Sequence, residues 1–253
     1  MSNNHPLGGT LHHTKAIVLR TVPYGETSLI VTAYTTQFGL QSYLVQGIRK
    51  SSKSKSAANC FLPGSILDLV VYYNEFRNLN RIREFKWSHI YRNLFSDVVK
   101  NSVLLYLIEL VQKTIKQPEP NEDLFGFLED ALIHLDKAEK EEIPNYPLFF
   151  SVHLSFFFGF QPNEKRSDSG KYLDLQEGTF TNTPPLHLNY AEGPVTSALK
   201  ELLKVRLPSE LPELHFPLHV RRELLNVLEC FYALHIAEFG KMKSTQILQE
   251  VLG

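Results

Sequence analysis

The sequence predicts an α+β multidomain protein, in which a five-stranded antiparallel barrel is followed by an all-helical domain with a small inserted hairpin. Over residues 13–90 apolar and polar residues alternate with a period near two, and turn residues separate the runs. From residue 91 onward the apolar residues recur at helical spacing instead. We therefore expect a disordered leader (1–12), a barrel domain (13–90) and a helical domain (91–253), with a loop and hairpin insert at 161–190.

Five runs rich in β-branched and aromatic residues are candidates for the strands of the barrel. They cover residues 16–22, 27–34, 41–48, 65–73 and 79–85. Four strands would leave unprotected edges in so small a unit, whereas five short antiparallel strands suit a closed barrel of the OB-fold type. Such a barrel binds oligonucleotides across one face, with cations for the phosphates and aromatic rings for the bases.

Cationic and aromatic residues of the barrel segment are therefore candidates for contacts with nucleic acid. They are Arg20, Tyr24, Tyr43, Arg49, Lys50, Lys53, Lys55, Arg77, Arg81 and Arg83. Arg81 and Arg83 are two apart on one strand, so both project from one face, and burial of two arginines without acids would be too costly for that face to be the interior. Three other tyrosines, Tyr34, Tyr72 and Tyr73, are expected to pack within the barrel.

A basic loop follows the third strand. Residues 46–56 contain serines and four cations, and no acid interrupts them. A mobile positive segment suits a line of phosphates, because phosphate contacts require charge and reach more than a fixed geometry. A solvated loop kept soluble by lysine is the simpler alternative, and the barrel strands on either side favour the nucleic-acid interpretation.

The charge of the chain is unevenly distributed. Residues 1–90 hold ten Lys and Arg against four Asp and Glu, whereas residues 91–253 hold sixteen against twenty-three. The net charge of −1 thus combines a basic segment of +6 with an acidic one of −7. This asymmetry indicates that the first part meets a polyanion and the second part meets something else.

Other classes of protein are disfavoured by what the sequence contains. Its two cysteines are far apart, which excludes a disulfide scaffold and argues against a zinc site. It contains no Gly-rich phosphate loop and no metalloprotease or serine-hydrolase motif, so we expect no enzymatic activity, catalytic residue or cofactor. Its first residues are polar and no apolar run reaches the length of a membrane span, so we expect a cytoplasmic protein without a membrane partner.

The helical part shows six segments with apolar periodicity. They begin at Ser96, after a cap at Asn121, at Pro147, and then cover 194–204, 217–239 and 244–251, the last with Ser244 as candidate N-cap. The segment from Pro147 is apolar on all sides, which predicts the central core helix of this domain. Residues 172–175 and 178–180 form the predicted hairpin, turned at 176–177.

Several stretches of the chain resemble the family of the bacterial DNA repair protein RecO. They are 15–20, 24–31, Thr35, 38–39 and 47–50 near the start, 158–162 in the middle, and 234–235, 240–244 and Leu248 near the end. The resemblance implies an OB-fold followed by a helical domain. It implies a recombination mediator that binds single- and double-stranded DNA, anneals complementary strands, docks on the C-terminal tail of single-stranded-DNA-binding protein and acts with RecR to load RecA.

The chain departs from the family pattern in two places. Some members carry a four-cysteine zinc site after the Gly-Phe helix end, but residues 163–183 contain no cysteine, so we predict no zinc. Other members place an Arg before Phe in the region used for the acidic tail, where this chain has Asn145, Tyr146, Pro147, Leu148 and Phe149. Phe149 is accordingly our candidate contact for the tail.

An acidic peptide with an apolar carboxy-terminus requires a hydrophobic pocket rimmed by cations. The basic candidates close to apolar helices are Arg221, Arg222, Lys241 and Lys243, with ordinary surface charge as the alternative. Two other functions remain open for the chain. An OB barrel can serve as a protein-interaction adaptor, which short DNA would not displace from its partner, or as an RNA-binding module, which competition between DNA and RNA would identify.

Overall fold

A computed structural model describes residues 9–48, 58–163 and 170–252 of the chain. The barrel strands are β1 (Thr10–Tyr24), β2 (Ser28–Thr35), β3 (Gly39–Val45), β4 (Ile66–Tyr73) and β5 (Asn80–Trp87). The helices are α1 (Val98–Thr114), α2 (Glu122–Lys137), α3 (Tyr146–Phe156), α4 (Pro194–Lys204), α5 (Leu218–His235) and α6 (Ser244–Val251). Three short strands, β6 (Tyr172–Asp174), β7 (Thr179–Thr181) and β8 (Tyr190–Glu192), lie between α3 and α4 in the sequence.

The chain divides into two compact units. The first contains residues up to 92 together with 115–133, and the second contains 93–114 together with the residues from 134 onward. The predicted fold class, an N-terminal five-stranded OB-type sheet followed by a helical region, is confirmed. The first compact unit also takes in part of the helical region, since residues 122–133 of α2 belong to it.

The barrel has the strand order β1-β2-β3-β5-β4. It closes because β1 is long enough to pair with two strands, its first part with β4 and its last part with β2. Every pairing is antiparallel except the short contact between β3 and β5. The interior is filled by alternate side chains of all five strands, among them Val18, Val31, Tyr43, Leu69 and Ile82, which is the period-two pattern of the sequence.

Strand β1 begins at Thr10, so residues 10–12 belong to the barrel and not to a leader of residues 1–12. They pair with Tyr73 to Val71 of β4. The ring of His12 also meets the rings of Phe38 and Tyr73 edge-on. The start of β1 at residue 10 could not be predicted from the sequence. Leu11 points outward, and residues 10–12 contain no inward-facing apolar residue that would indicate a strand.

The first turns of α2 belong to the barrel unit and are tied to it by specific contacts. The predicted cap is present, since the backbone N–H of Leu124 donates to Asn121 Oδ1 at 2.8 Å. The ring of Phe125 stacks on Tyr34 of β2, and Tyr34 is buried as expected. Barrel and helix segment therefore form one packed unit.

Gly39 shows how closely the chain passes the barrel at this point. It has a φ of +59°, and a Cβ at this position would lie 2.4 Å from the carbonyl oxygen of Glu119. Both the left-handed conformation and the lack of space require glycine. The residue that turns the chain from β2 into β3 thus also permits residues 118–119 to approach the barrel.

Helix α3 is the centre of the second unit, as its apolar sequence predicts. Its residues from Tyr146 to Val152 are all buried. The hydroxyl of Tyr106 lies 2.9 Å from Ser151 Oγ, and the hydroxyl of Tyr232 donates to the Ser151 carbonyl at 2.7 Å. Burial raises the pKa of both tyrosines, so they remain neutral donors that fix the packing of α1 and α5 on α3.

The small insert is a three-stranded sheet with the order β7-β6-β8 rather than a hairpin alone. The predicted hairpin corresponds to β6 and β7, which pair through Leu173 and Phe180. The strand β8 was not predicted, because three residues are too short for an alternation to be visible. Asp174 Oδ1 accepts hydrogen bonds from the N–H groups of Gln176 and Glu177 and so holds the turn between β6 and β7.

The start of α6 is capped by carboxylates of other helices and not by Ser244. Glu109 of α1 accepts hydrogen bonds from the backbone N–H and the hydroxyl of Ser244 and from the N–H of Lys243. Glu229 of α5 accepts from the N–H of Met242 and the hydroxyl of Thr245. The motif at 240–244 is therefore where two acids hold the last helix in place.

Candidate nucleic-acid interface

One row of outward side chains crosses all five strands of the barrel. Val22 of β1 pairs with Ile30 of β2, which pairs with Leu44 of β3, then with Arg81 of β5 and Tyr72 of β4. Directly paired residues project from the same side of a sheet, and all five are exposed or half-exposed. The barrel thus presents an apolar and aromatic strip that contains one guanidinium, which suits a strand of bases and phosphates.

A second, polar row lies beside this strip. Arg20 is exposed and pairs with Thr32, which pairs with Ser42 on β3. The hydroxyls of Thr32 and Ser42 are 3.4 Å apart. Arg20 therefore projects from the outer side of the barrel, as Arg81 does three strands further along the order β1-β2-β3-β5.

The arginines of β5 are both exposed, as the alternation of the sequence predicts. A guanidinium nitrogen of Arg81 donates to Gln46 Oε1, at the end of β3. Arg83 lies at a β-bulge, opposite the step from Val70 to Val71, and its Nε is 3.1 Å from Glu84 Oε1. Because an acid pairs with Arg83, Arg81 is the stronger candidate for a phosphate contact.

The loop between β4 and β5 brings Arg77 to the same end of the barrel as Arg81. Both side chains line a depression of about 280 Å³, together with Tyr72 and Leu79. At the hairpin between β1 and β2, Tyr24 is exposed and pairs with Ser28. The structure thus places Arg20, Tyr24, Arg77, Arg81 and Arg83 on the barrel surface.

Two tyrosines lie where the sequence analysis did not expect them. Tyr43 is fully buried in the barrel core, so its ring cannot stack on a base. Burial also raises the pKa of its hydroxyl group. Tyr72, expected to be packing, is instead exposed beside Arg81. Tyr73 does pack, with its ring 3.8 Å from that of Phe38. The error arises because the inward position of a strand follows from register, and a tyrosine is compatible with either side.

The barrel segment has two further features, the basic loop and one exposed aromatic residue. Arg49, Lys50, Lys53 and Lys55 lie outside the described residues. Phe76, in the loop between β4 and β5, is exposed although the sequence analysis did not select it. Its exposure could have been predicted from its position between Asn74 and Arg77, because an aromatic residue in a short polar loop cannot pack in the core.

The second unit contains a shallow apolar groove with two arginines. It is lined by residues of α3, α5 and α6 and of the segment before α3, namely Pro144, Pro147, Leu148, Leu218, Arg221, Arg222, Leu225, Leu248, Gln249 and Leu252. Arg221 donates to the Phe216 carbonyl and Arg222 to the Gln249 carbonyl. Each guanidinium group has five N–H donors, so these bonds leave further donors for a carboxylate.

The other predicted partner residues do not line this groove. Phe149 is 5% exposed, its ring packs 4.0 Å from that of His153 in the core, and it does not line this groove. Helical geometry explains the error, since neighbouring residues on α3 face different sides. Lys241 and Lys243 are exposed but precede α6, whereas α6 contributes Leu248 to the groove.

Within the ranges that the structure describes, no helix combines the length and the apolar character needed to cross a membrane. In those same ranges, no three His, Cys, Asp or Glu side chains are grouped so that they would hold a metal ion.

The fold defines a class of protein in which a small OB-type barrel is followed by a helical region. The family model described as Recombination protein O N terminal matches residues 10–91, and the model described as Recombination protein O C terminal matches residues 96–246. The chain belongs to the Recombination protein O family.

Curated relatives agree with this assignment. The DNA repair protein RecO of Christiangramia forsetii is 32% identical over 244 residues, which cover 96% of this chain and 100% of the relative. The DNA repair protein RecO of Flavobacterium johnsoniae is 33% identical over 239 residues, or 94% of this chain and 98% of the relative. That of Azobacteroides pseudotrichonymphae is 29% identical, with 95% and 99% covered. Family membership therefore assigns the chain to DNA repair.

Proposed function

We propose that this protein is a recombination mediator that binds single- and double-stranded DNA through the outer face of its barrel and anneals complementary strands. The observation that carries the proposal is the joint position of Arg20, Arg77 and Arg81 on the barrel surface, beside the exposed strip that includes Tyr72. The family supports DNA as the nucleic acid, since relatives are named DNA repair proteins.

The mechanism is neutralisation of phosphates. Two complementary strands repel each other, and cations that contact both backbones lower that repulsion while the bases pair. The row of Arg81 supplies part of this charge, and the basic loop, whose first cation Arg49 lies three residues after Gln46 in the sequence, supplies more. Binding of this kind releases counterions and therefore weakens steeply with salt.

A mediator that acts by binding requires no catalytic residue, metal or cofactor, and we propose none. We further propose that the protein acts with RecR to load RecA on strands coated with single-stranded-DNA-binding protein, as the family resemblance implies. Its place of action is then the cytoplasm, where the bacterial chromosome lies.

We assign the C-terminal tail of single-stranded-DNA-binding protein to the groove beside Arg221 and Arg222. An acidic peptide with an apolar end needs apolar walls and a cationic rim. The groove combines two guanidinium groups with apolar residues, of which Pro144, Leu218 and Leu252 are exposed or half-exposed. Arg suits this role because its planar fork binds a carboxylate through two parallel hydrogen bonds.

The basic loop provides the test of DNA binding. Replacement of Arg49, Lys50, Lys53 and Lys55 together by Ala should remove most of the affinity for DNA, since each lost phosphate contact weakens binding. Fluorescence anisotropy with labelled single-stranded DNA measures the effect. The melting temperature should stay nearly unchanged, because loop cations contribute little to a core.

The matched control removes the same number of cations elsewhere. Lys116, Lys137, Lys140 and Lys204 are exposed, and their replacement by Ala should leave DNA affinity close to that of the wild type. Equal affinity of the loop variant and the wild type would contradict the assignment. If the barrel bound a protein partner and short DNA did not displace that partner, the adaptor function would be favoured instead.

The groove has a separate test. The R221A/R222A variant should bind a labelled peptide of several acids and an apolar carboxy-terminus about tenfold more weakly, as expected for loss of charge-assisted hydrogen bonds. The exposed Arg206, which does not line the groove, provides the control R206A. Identical peptide affinity for all three proteins would rule out this groove as the docking site.

A further inference from the structure

Phe76 is far more exposed than an aromatic side chain without a function needs to be. Its exposed fraction is 89%, against 54% for Tyr24 at the β1–β2 hairpin and 74% for Ile90 after β5. A single exposed apolar side chain is common on protein surfaces, but an exposed aromatic face is also available for stacking against a ligand. The structure around Phe76 decides what it recognises.

The loop that carries Phe76 is held in one conformation by hydrogen bonds. Asn74 Oδ1 accepts from the N–H of Phe76 at 3.0 Å, and the Asn74 carbonyl accepts from the N–H of Arg77 at 3.1 Å. Asn80 Oδ1 in turn accepts from the N–H of Asn74 at 2.9 Å. This side-chain-to-backbone turn fixes the backbone on both sides of the ring, so a ligand binds without having to order it.

The surroundings of the ring are cationic. Arg77 follows it directly, and the side chains of Arg77 and Arg81 line the adjacent depression of about 280 Å³ together with Tyr72. Glu75 is the one acid among residues 74–81. A purely apolar partner would have to desolvate these guanidinium groups, whereas a nucleotide offers them its phosphate. An aromatic face joined to a phosphate matches both halves of the site.

We propose that Phe76 stacks on one unpaired base, and that the barrel distinguishes single-stranded from double-stranded DNA through this contact. The inference rests on the proposed DNA binding of the barrel and adds a base subsite to it. In a duplex the faces of each base are covered by its neighbours in the stack, so Phe76 gains no contact unless a base is unstacked at a cost. Arg77 and Arg81 contact phosphates in either form of DNA, which accounts for binding to both.

The test compares single- and double-stranded DNA of one length with the full chain. F76A should weaken binding to single-stranded DNA about tenfold, as loss of one stacked base does, and leave duplex binding unchanged. F76L keeps apolar bulk but no aromatic face, and should behave as F76A does. F76W should retain the affinity, and its emission should be quenched by single-stranded DNA relative to the wild type, whose single tryptophan is Trp87. I90A is the control for loss of an exposed apolar side chain at the other end of β5.

The outcomes separate this inference from the function on which it rests. Equal weakening of both DNA forms by F76A, or wild-type discrimination by F76L, would overturn the stacking role. Loss of binding to a protein partner with DNA affinity intact would show an apolar contact with protein instead, and would overturn it as well. If the wild type bound neither DNA form at low salt, the proposed DNA binding itself would fail.

Discussion

The barrel unit and the helical unit differ in whether their charged side chains are exposed or buried. In the barrel the arginines Arg20, Arg77 and Arg81 are exposed, and the core is apolar. Among the described residues of the second unit, three carboxylates are buried, namely those of Asp136, Glu142 and Asp174. The barrel therefore displays its charge, whereas the helical unit uses part of its charge for internal hydrogen bonds.

Each buried carboxylate has a structural task. Asp136 accepts from the N–H groups of Asn93 and Leu94, at the segment that leads into α1. Glu142 Oε2 lies 2.7 Å from His134 Nε2, and Asp174 accepts hydrogen bonds from the N–H groups of Gln176 and Glu177. Net charge counted from sequence consequently overstates the acidic surface of residues 91–253. The difference teaches that regional charge indicates a binding surface only when the structure exposes it.

The largest effect on stability is expected at Asp136. Its side chain is 3% exposed and satisfies two backbone donors, so D136A should lower the free energy of unfolding by about 3 kcal/mol. Denaturant unfolding measures this. Asp130 lies on the same helix but is exposed, and D130A should change stability by less than about 0.5 kcal/mol. Similar effects of the two substitutions would remove the contrast between the units.

Substitution of exposed arginines in the barrel should change DNA affinity strongly and stability little. The R20A/R81A variant should lose about tenfold or more in affinity for single-stranded DNA, and the salt slope of binding should fall in magnitude by about 1.4, or about 0.7 for each lost phosphate contact on a single strand. Its melting temperature should remain near that of the wild type because both side chains are exposed. A large fall in melting temperature with unchanged DNA affinity would mean that these arginines are structural.

A smaller, pH-dependent effect is expected at the start of α6. Burial alone would raise the pKa of Glu109, but the hydrogen bonds from Ser244 and Lys243 and the nearby Lys113 outweigh burial and lower it below the ordinary value of 4.5. The carboxylate thus stabilises the folded state above about pH 4.5, and this contribution is lost as the pH falls through the lower folded pKa.

The variant E109Q isolates this contribution. It should be less stable than the wild type at neutral pH, and the difference in free energy of unfolding should shrink as the pH falls below about 4.5. Hydrogen exchange of the α6 amides at the two pH values locates the effect. A difference between E109Q and wild type that is constant from neutral to acidic pH would show that the charge of Glu109 is not what holds α6.

The sequence predicted those parts of the structure that depend on local periodicity. Alternation placed Arg81 and Arg83 outside the barrel, and the capping pattern located Asn121 at the start of α2. It could not predict that Glu109 caps a helix that begins 135 residues later. Such a contact depends on how α1 and α6 pack, which no local pattern encodes.

For the candidate site, residue type was a better guide than position. The candidate arginines of the barrel that the structure describes, namely Arg20, Arg77, Arg81 and Arg83, are all exposed, since burial of an unpaired charge is costly. Tyrosine is amphipathic, so Tyr43 and Tyr72 were each assigned to the wrong side. Phe76 was missed because a loop aromatic carries no periodic signal.

The most direct test of the account is fluorescence anisotropy of the purified protein with labelled single-stranded DNA over a series of salt concentrations. A face that binds through several phosphates predicts a linear fall of log affinity with log salt, with a slope of about −0.7 for each contact on a single strand. Tight binding at low salt with a steep slope would support the barrel as the DNA-binding face. Absence of binding even at low salt would contradict it and would identify the barrel as an adaptor for protein partners.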